Sequence, residues 1–461
     1  MRNTKAEVRR RRAILGAGAT VLTVGVAVAL AVVVLPGNSK PPASVPPAEK
    51  GLVLTAQING AAEYSAPVAQ ALPHLGSREE QAVTAAEQAF SLRFLQELQR
   101  SNGASAATTN QVVSPSSLAE ALSMLELGAK GQTESQIASV LGTAGLSPTA
   151  QAAGWNALDA DLAAESTGSA SLILQQANAL WSQEGLTLVP AFMRELRQAY
   201  GAGLWQVNFE TAAATAAINA WASQQTHGKI NQLFPPGPLG STVSLILADA
   251  IYFKGAWQYP FDPTMSPANF TTATGTTVRP QFMFTSNEQV TPLPWADTPA
   301  YSAVELPYKG GRFSALVVMP KSGGLAAMIG KLDPAGLNSI VASLHTSQVS
   351  VQMPTFQFST GLELSSVLQS MGMKAAFGSG ADLTGISTKV ALQVQSVIQK
   401  AFLHVSTAGT EAAAVTAIAI GSSAILVKKL LVFNHPFLFL IRDNRTGAIL
   451  FASSVVNPIA G

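Results

Sequence analysis

Cysteine is absent from all 461 residues. That excludes disulfides, thiolate metal sites and cysteine nucleophiles. It assigns no compartment, because a large exported domain can be held by its core alone. Charge is scarce too. Asp, Glu, Lys and Arg make up 12% of the chain against 48% hydrophobic residues, the balance of a globular protein rather than a disordered one. The net charge of +2 hides an asymmetry: "MRNTKAEVRRRR" (1–12) carries +5 and leaves −3 for everything after it. The folded part therefore has no basic field, and no nucleic-acid partner is expected.

Catalytic signatures are missing as well. The five histidines (His74, His227, His345, His404, His435) are far apart and none sits in a metal-ligand spacing. There is no GxSxG elbow, no Walker loop and no GxGxxG before a helix. The serines of "SPSSL" stand at a helix start, where capping is their ordinary role. The chain is read as a non-enzyme without metal or cofactor.

Long apolar runs are present once. Ala13 to Leu35 is 23 residues without a charge, directly behind the basic cluster. That length spans a bilayer as a helix, with the basic end in the cytoplasm and the rest outside. The expectation is a single-pass anchor over 13–35 behind a cytoplasmic tail over 1–12. The alternative is secretion after signal cleavage. Residues 36–80 begin with "PGNSKPPASVPPAEK", a Pro-rich spacer, and are expected to be linker with at most a short strand at "LVLTAQI". The folded domain is expected over 81–461.

Helical spacing dominates its first half. Ala86, Phe90, Phe94 and Leu98 share one face, Leu118, Leu122 and Leu125 another, and Thr133 with Gln136 has the form of a capping box. Later come strand-like runs, among them "SLILADAIYFKGAW", "FSALVVMP", "VSVQMPTFQFS", "FLFLIRD" and "AILFASSVV". Helices early and strands late predict an α+β domain on a large, mostly antiparallel sheet.

One stretch needs a special explanation. "GTEAAAVTAIAIGSS" (409–423) has one charge, no aromatic residue and small side chains almost throughout. As a strand it would place Thr410, Ala412, Ala414, Thr416, Ile418 and Ile420 on one face and Glu411, Ala413, Val415, Ala417 and Ala419 on the other. Composition alone also allows an ordinary Ala-rich strand or helix.

Its first part, "GTEAAAVT", resembles the reactive-centre hinge of the serpins, here of the bacterial type with an N-terminal anchor. "FNHPFLFLIRDNRTGAILFASSVVNP" (433–458) is similar to their C-terminal signature, and blocks such as "NQVVSPSSLAEALSMLELGAKGQT", "DAIYFKGAW" and "LPYKGGRFSALVVMP" follow in serpin order. The resemblance implies a serpin fold with about eight to nine helices, a five-stranded central sheet and an exposed reactive-centre loop. It implies a suicide substrate: a serine protease cleaves the loop, which inserts into the central sheet and traps the enzyme as an acyl complex. The hinge would be Gly409, Thr410, Glu411, Ala412, Ala413, Ala414, Val415 and Thr416. The reactive bond would be Ser423–Ala424, which suits an elastase-like or subtilisin-like target. Ser114 and Ser117 match the family's shutter serines and Trp257 the tryptophan under the top of the sheet. Three positions depart from the pattern. Thr407 replaces a usual glutamate, Asp249 the usual shutter asparagine and Gln399 the usual histidine; Gln399 could still donate to Asp249. The protein is expected to be monomeric. The alternatives are a non-inhibitory serpin-fold binding module and, more remotely, an exported enzyme or solute-binding protein.

Overall fold

The computed structural model describes residues 51–166, 172–285, 292–410 and 429–460. The nine α-helices among them are α1 (Arg78–Asn102), α2 (Pro115–Glu126), α3 (Gly131–Leu141), α4 (Pro148–Ser166), α5 (Pro190–Tyr200), α6 (Ala212–Gln225), α7 (Gly324–Ile329), α8 (Pro334–Ser343) and α9 (Ser365–Met371). Local chemistry explains the starts of several. Ser77 accepts from the Glu80 amide ahead of α1, and Ser114 accepts from the Ser117 amide ahead of α2, with Pro115 following as a favoured first residue. The capping box expected at Thr133 is not formed. α3 begins at Gly131, so Thr133 already lies inside the helix, where its hydroxyl accepts from the Asp382 amide at 2.9 Å.

Two large sheets carry the fold. The first runs in the order β1 (Val53–Ile58), β2 (Ala61–Ser65), β5 (Leu204–Val207), β4 (Leu172–Gln183), β6 (Leu245–Ala256), β13 (Gly409–Thr410), β12 (Val394–Ser406), β11 (Phe356–Glu363). The second runs β10 (His345–Gln348), β7 (Pro292–Asp297), β8 (Tyr301–Pro307), β9 (Phe313–Pro320), β14 (Phe437–Asp443), β15 (Ile449–Val455), β3 (Gln111–Val113). The first is mostly antiparallel, but β6 and β12 are parallel neighbours. A smaller sheet joins Ser266–Pro267, Gln281–Phe284, Ser350–Pro354 and Leu430–Val432.

Among the described residues the first sheet has eight strands where five are expected. Two of the extra three are the hairpin β1–β2: β1 is the short strand expected at "LVLTAQI", and β2 falls within the stretch expected to be linker. Asn59 and Gly60 form its turn with φ of 48° and 86°, the left-handed pair that tight hairpins favour, and β2 pairs with β5. The third is β13. One apolar core fills the space between the sheets and under the helices. A second cluster on the other face of the first sheet holds α6: Trp181 and Trp205, in register on β4 and β5, stack at 5.0 Å, and Trp221 of α6 meets Trp181 edge-on at 6.0 Å.

Candidate functional site

The site is the seam between β6 and β12. At its upper end β12 turns over Thr407 and Ala408 and comes back as β13, antiparallel to both flanking strands. Thr410 lies opposite Val405 and Gly255, and Gly409 opposite Ser406 and Ala256. Gly409 has φ of 149°, which a side chain would strain. Trp257 fixes this turn. Its amide donates to the Ala408 carbonyl and its indole N–H to that of Ser406, both at 3.0 Å, while the Phe261 amide donates to the Thr407 carbonyl at 2.9 Å. The Trp257 ring stacks on Tyr308 at 4.5 Å, and the Tyr308 hydroxyl lies 2.7 Å from Thr410 Oγ1. Gly255 leaves the room: a Cβ there would come within 2.7 Å of the Tyr308 ring. Thr410, expected at the start of an exposed loop, is fully buried. Glu411, Ala412, Ala413, Ala414, Val415 and Thr416 of the expected hinge, and the expected reactive bond Ser423–Ala424, lie outside the described residues.

Below this wedge β6 and β12 pair directly, from Leu245 opposite Val394 to Ile251 opposite Ala401. Midway along, Asp249 and Gln399 stand side by side on one face. Gln399 Nε2 donates to Asp249 Oδ2 at 2.5 Å and to the Ser114 carbonyl at 2.8 Å, while its Oε1 accepts from the Ser114 amide at 2.9 Å. Ser117 Oγ donates to Asp249 Oδ1 at 2.7 Å. The first turn of α2 thus clamps both strands from beneath: Ser114 holds β12 through Gln399, and Ser117 holds β6 through Asp249.

The polar contacts continue along α2. Every residue of this helix is buried, and the spacing Ser117, Glu120, Ser123 keeps one polar stripe on one face. Asn178 of β4 donates to Glu120 Oε2 at 2.9 Å, and the Ser123 and Tyr200 hydroxyls meet at 2.5 Å. Gln151 donates to Ser123 Oγ and to Glu126 Oε2. These carboxyls are buried, which disfavours their charged forms. Asp249 rises to about 7, against the hydrogen bonds from Gln399 and Ser117, which favour its charged form. Glu126 rises to about 7 for the same reason. Glu120 rises well above its usual range, through burial and then through Asp159 of α4, with which it shares a hydrogen bond.

The structure therefore brings Ser114, Ser117, Asp249 and Gln399 into one cluster and sets Trp257 at the top of the same seam. Sequence reasoning missed Glu120, Asn178, Asp159 and Tyr308. Glu120 was accessible in principle, one helical turn past Ser117; Asn178 and Tyr308 reach the site only through sheet register.

Comparison with known proteins follows the same lines. Residues 85–458 match the family model Serpin (serine protease inhibitor). An uncharacterized serpin-like protein of Thermococcus kodakarensis is 31% identical over 390 residues, 83% of this chain and 87% of that protein. The leukocyte elastase inhibitor of Sus scrofa is 32% identical over 388 residues, 82% and 99% of the two chains. Among solved structures, the thermophilic serpin tengpin in its native state superposes with a TM-score of 0.74 at 22% identity, covering 84% of this chain and 97% of that one. Human glycosylated kallistatin superposes with a TM-score of 0.72 at 28% identity, covering 83% and 99%. The chain belongs to the serpin family, whose members are generally protease inhibitors rather than enzymes.

Proposed function

We propose that this chain is an inhibitory serpin: a serine protease cleaves the segment after Thr410, and that segment then inserts between β6 and β12 with the acyl-enzyme attached. The observation that carries this reading is β13. Two residues of the hinge already occupy the seam, antiparallel to both sides. Continuing their register places Ala412 and Ala414 on the inward face with Thr410, and Thr416 between Asp249 and Gln399. Small residues enter such a gap without overpacking. Each new backbone hydrogen bond contributes roughly 0.5–1.5 kcal/mol, and Ile418 and Ile420 roughly 1.5–3 kcal/mol each if fully covered. The sum exceeds about 10 kcal/mol, enough to drive a mechanical trap.

The reactive bond is assigned to Ser423–Ala424 and the target to an elastase-like or subtilisin-like enzyme, since no arginine, lysine or aromatic residue flanks it. A relative that carries the name leukocyte elastase inhibitor supports that choice. The domain is placed outside the cell membrane by an anchor over 13–35. Among the described residues no helix is long and apolar enough to cross a membrane, and 13–35 lie outside them.

The test is to mix the protein with pancreatic elastase, subtilisin and trypsin. The expected result is an SDS-resistant complex with the first two and a released C-terminal peptide starting at Ala424. The cleaved protein should also melt far above the intact one. Cleavage without complex or stabilisation would favour the non-inhibitory binding module instead.

A further inference from the structure

The Asp249–Gln399 pair lies where any strand entering the sheet must pass, so its chemistry sets the resistance of the seam. We infer that opening of the seam between β6 and β12 is proton-linked, with the Asp249 carboxyl taking up a proton as Gln399 is drawn away from it. This rests on the insertion reading above.

The geometry leads there directly. Asp249 has two donors, Gln399 from β12 and Ser117 from α2. Parting the strands removes the first and keeps the second. Gln399 cannot follow β6, because both ends of its amide are tied to the Ser114 backbone. Asp249 is then left in a buried site with one donor instead of two. A carboxylate that loses a hydrogen bond in low dielectric binds its proton more tightly.

The groups around it deepen the effect. From α2 it faces Glu120, while Asp159 of α4 acts on Glu120, and Tyr200 of α5 lies among Glu120, Asp159 and Glu126. β4 presents the neutral Asn178. Glu134 of α3 acts on Glu126. Lys400, the next residue on β12, turns to the opposite face and binds the Gln232 carbonyl at 2.8 Å. The one ionisable group that acts on Asp249 among the described residues is the Glu120 carboxyl, and it favours the protonated form of Asp249.

The sign follows. With the seam closed, Asp249 titrates at about 7. With it open, the value is higher. Below about pH 7 the carboxyl is already neutral in both states and opening is independent of pH. Above it, opening needs a proton from solvent and slows, by at most about tenfold per pH unit. Insertion should be fast in weakly acidic solution and hindered in alkaline solution.

A peptide with the sequence of residues 410–420, TEAAAVTAIAI, measures this without any protease. Its uptake by the purified protein is followed by the rise in thermal midpoint at pH 6.0, 7.0, 8.0 and 8.5. The expected result is a rate that is level up to about pH 7 and about tenfold lower at pH 8.5. Asp249→Asn should abolish the fall. Ser117→Ala, which removes the remaining donor in both states, should keep the fall and move it to higher pH. A wild-type rate that is level across the range, or a fall that persists in Asp249→Asn, overturns the inference. So does failure of the peptide to enter at any pH, since the seam then does not open. Trapping of elastase, measured separately, reports on the inhibitory reading: complex formation with a level peptide profile leaves that reading standing and removes only this one.

Discussion

The seam between β6 and β12 and the pair β14–β15 lie over the same core and are built differently. β14 and β15 are antiparallel, and every residue of both is buried. Phe437, Leu438, Phe439, Leu440 and Ile441 run without a polar interruption until Arg442 and Asp443, where Arg312 meets Asp443 at 2.7 Å. Such a pair is held by close-packed side chains with no substitute partner available. In the seam the strands are parallel, a polar pair stands at the centre, and the upper end is already parted by β13. Besides its backbone ladder, the seam is held by hydrogen bonds from α2, which can be exchanged. A sheet of one composition can be stable everywhere; this molecule concentrates its replaceable contacts along one line and its irreplaceable ones elsewhere.

The largest test of that contrast is a charge in the path of insertion. If the segment inserts as proposed, Ala412→Arg would carry a guanidinium to the inward face, where an unpaired buried charge costs several kcal/mol and each ~1.4 kcal/mol of barrier slows insertion about tenfold. The protein should still be cleaved by elastase, but the SDS-resistant complex should vanish. Ala413→Arg, on the other face, should lose less. Thr410→Arg should also turn inhibitor into substrate. Because Thr410 is already buried against Tyr308, it should disturb the intact protein too, so Ala412 is the cleaner position. Wild-type trapping by Ala412→Arg would show that the seam does not receive the loop.

Second in size is Leu440→Ala, in the middle of β14 between Leu316 and Ala452. A cavity there should cost about 2–5 kcal/mol. The thermal midpoint should drop, while the folded fraction partitions between complex and cleaved product as wild type does. If the partition shifts as well, the two regions are not separable.

Much of this was readable beforehand, and the reasons differ by element. α1, α2 and the strand Leu245–Ala256 follow from periodicity and, for α2, from the capping serines of "SPSSL". The run "VSVQMPTFQFS" reads as one strand, yet it breaks at Thr355 and its halves join different sheets, because pairing partners far along the chain decide sheet membership. Asn59-Gly60 signals a turn, but nothing local says that β2 will pair with β5. Asp249 and Gln399, 150 residues apart, came together on paper only through family resemblance. That Glu120, Asp159 and Glu126 would form a buried acidic stripe behind them depends on the packing of α2 against α4 and β4, which no single segment encodes.

Buried acids occur in both regions, and this gives a third test. Glu87 of α1 lies against β15, where it accepts from Ser91 Oγ at 2.6 Å and from the Ile449 amide at 3.3 Å. Burial raises it from an ordinary 4.5 to about 8. Between those values the folded protein holds a proton that the unfolded chain has lost. The contribution of Glu87 to stability is therefore most favourable below about pH 4.5, falls by about 1.4 kcal/mol per pH unit through the window, and levels off above about pH 8. Denaturant midpoints from pH 4 to 9 should trace this fall, and Glu87→Gln should flatten part of it without altering peptide uptake. Asp249→Asn should do the reverse for uptake. If Glu87→Gln changes the uptake profile, proton linkage is not confined to the seam.

The smallest effect is expected where the two regions meet. Tyr308 follows β8 of the second sheet, stacks on Trp257 and binds Thr410 in the first. Tyr308→Phe keeps the ring and its stacking but leaves the Thr410 hydroxyl buried without its partner. That penalty is about 1–3 kcal/mol, and it is borne by a two-residue strand that can leave the sheet rather than by the core. The global melting point should thus move little. Amide exchange at Gly409 and Thr410 should instead speed up by about tenfold or more, while exchange at Leu440 and Phe451 stays as it was. Double substitution, Tyr308→Phe with Thr410→Val, removes both hydroxyls and should restore most of the lost protection. If exchange at Leu440 accelerates in step with Thr410, the hinge is part of the rigid core and the contrast between the regions fails.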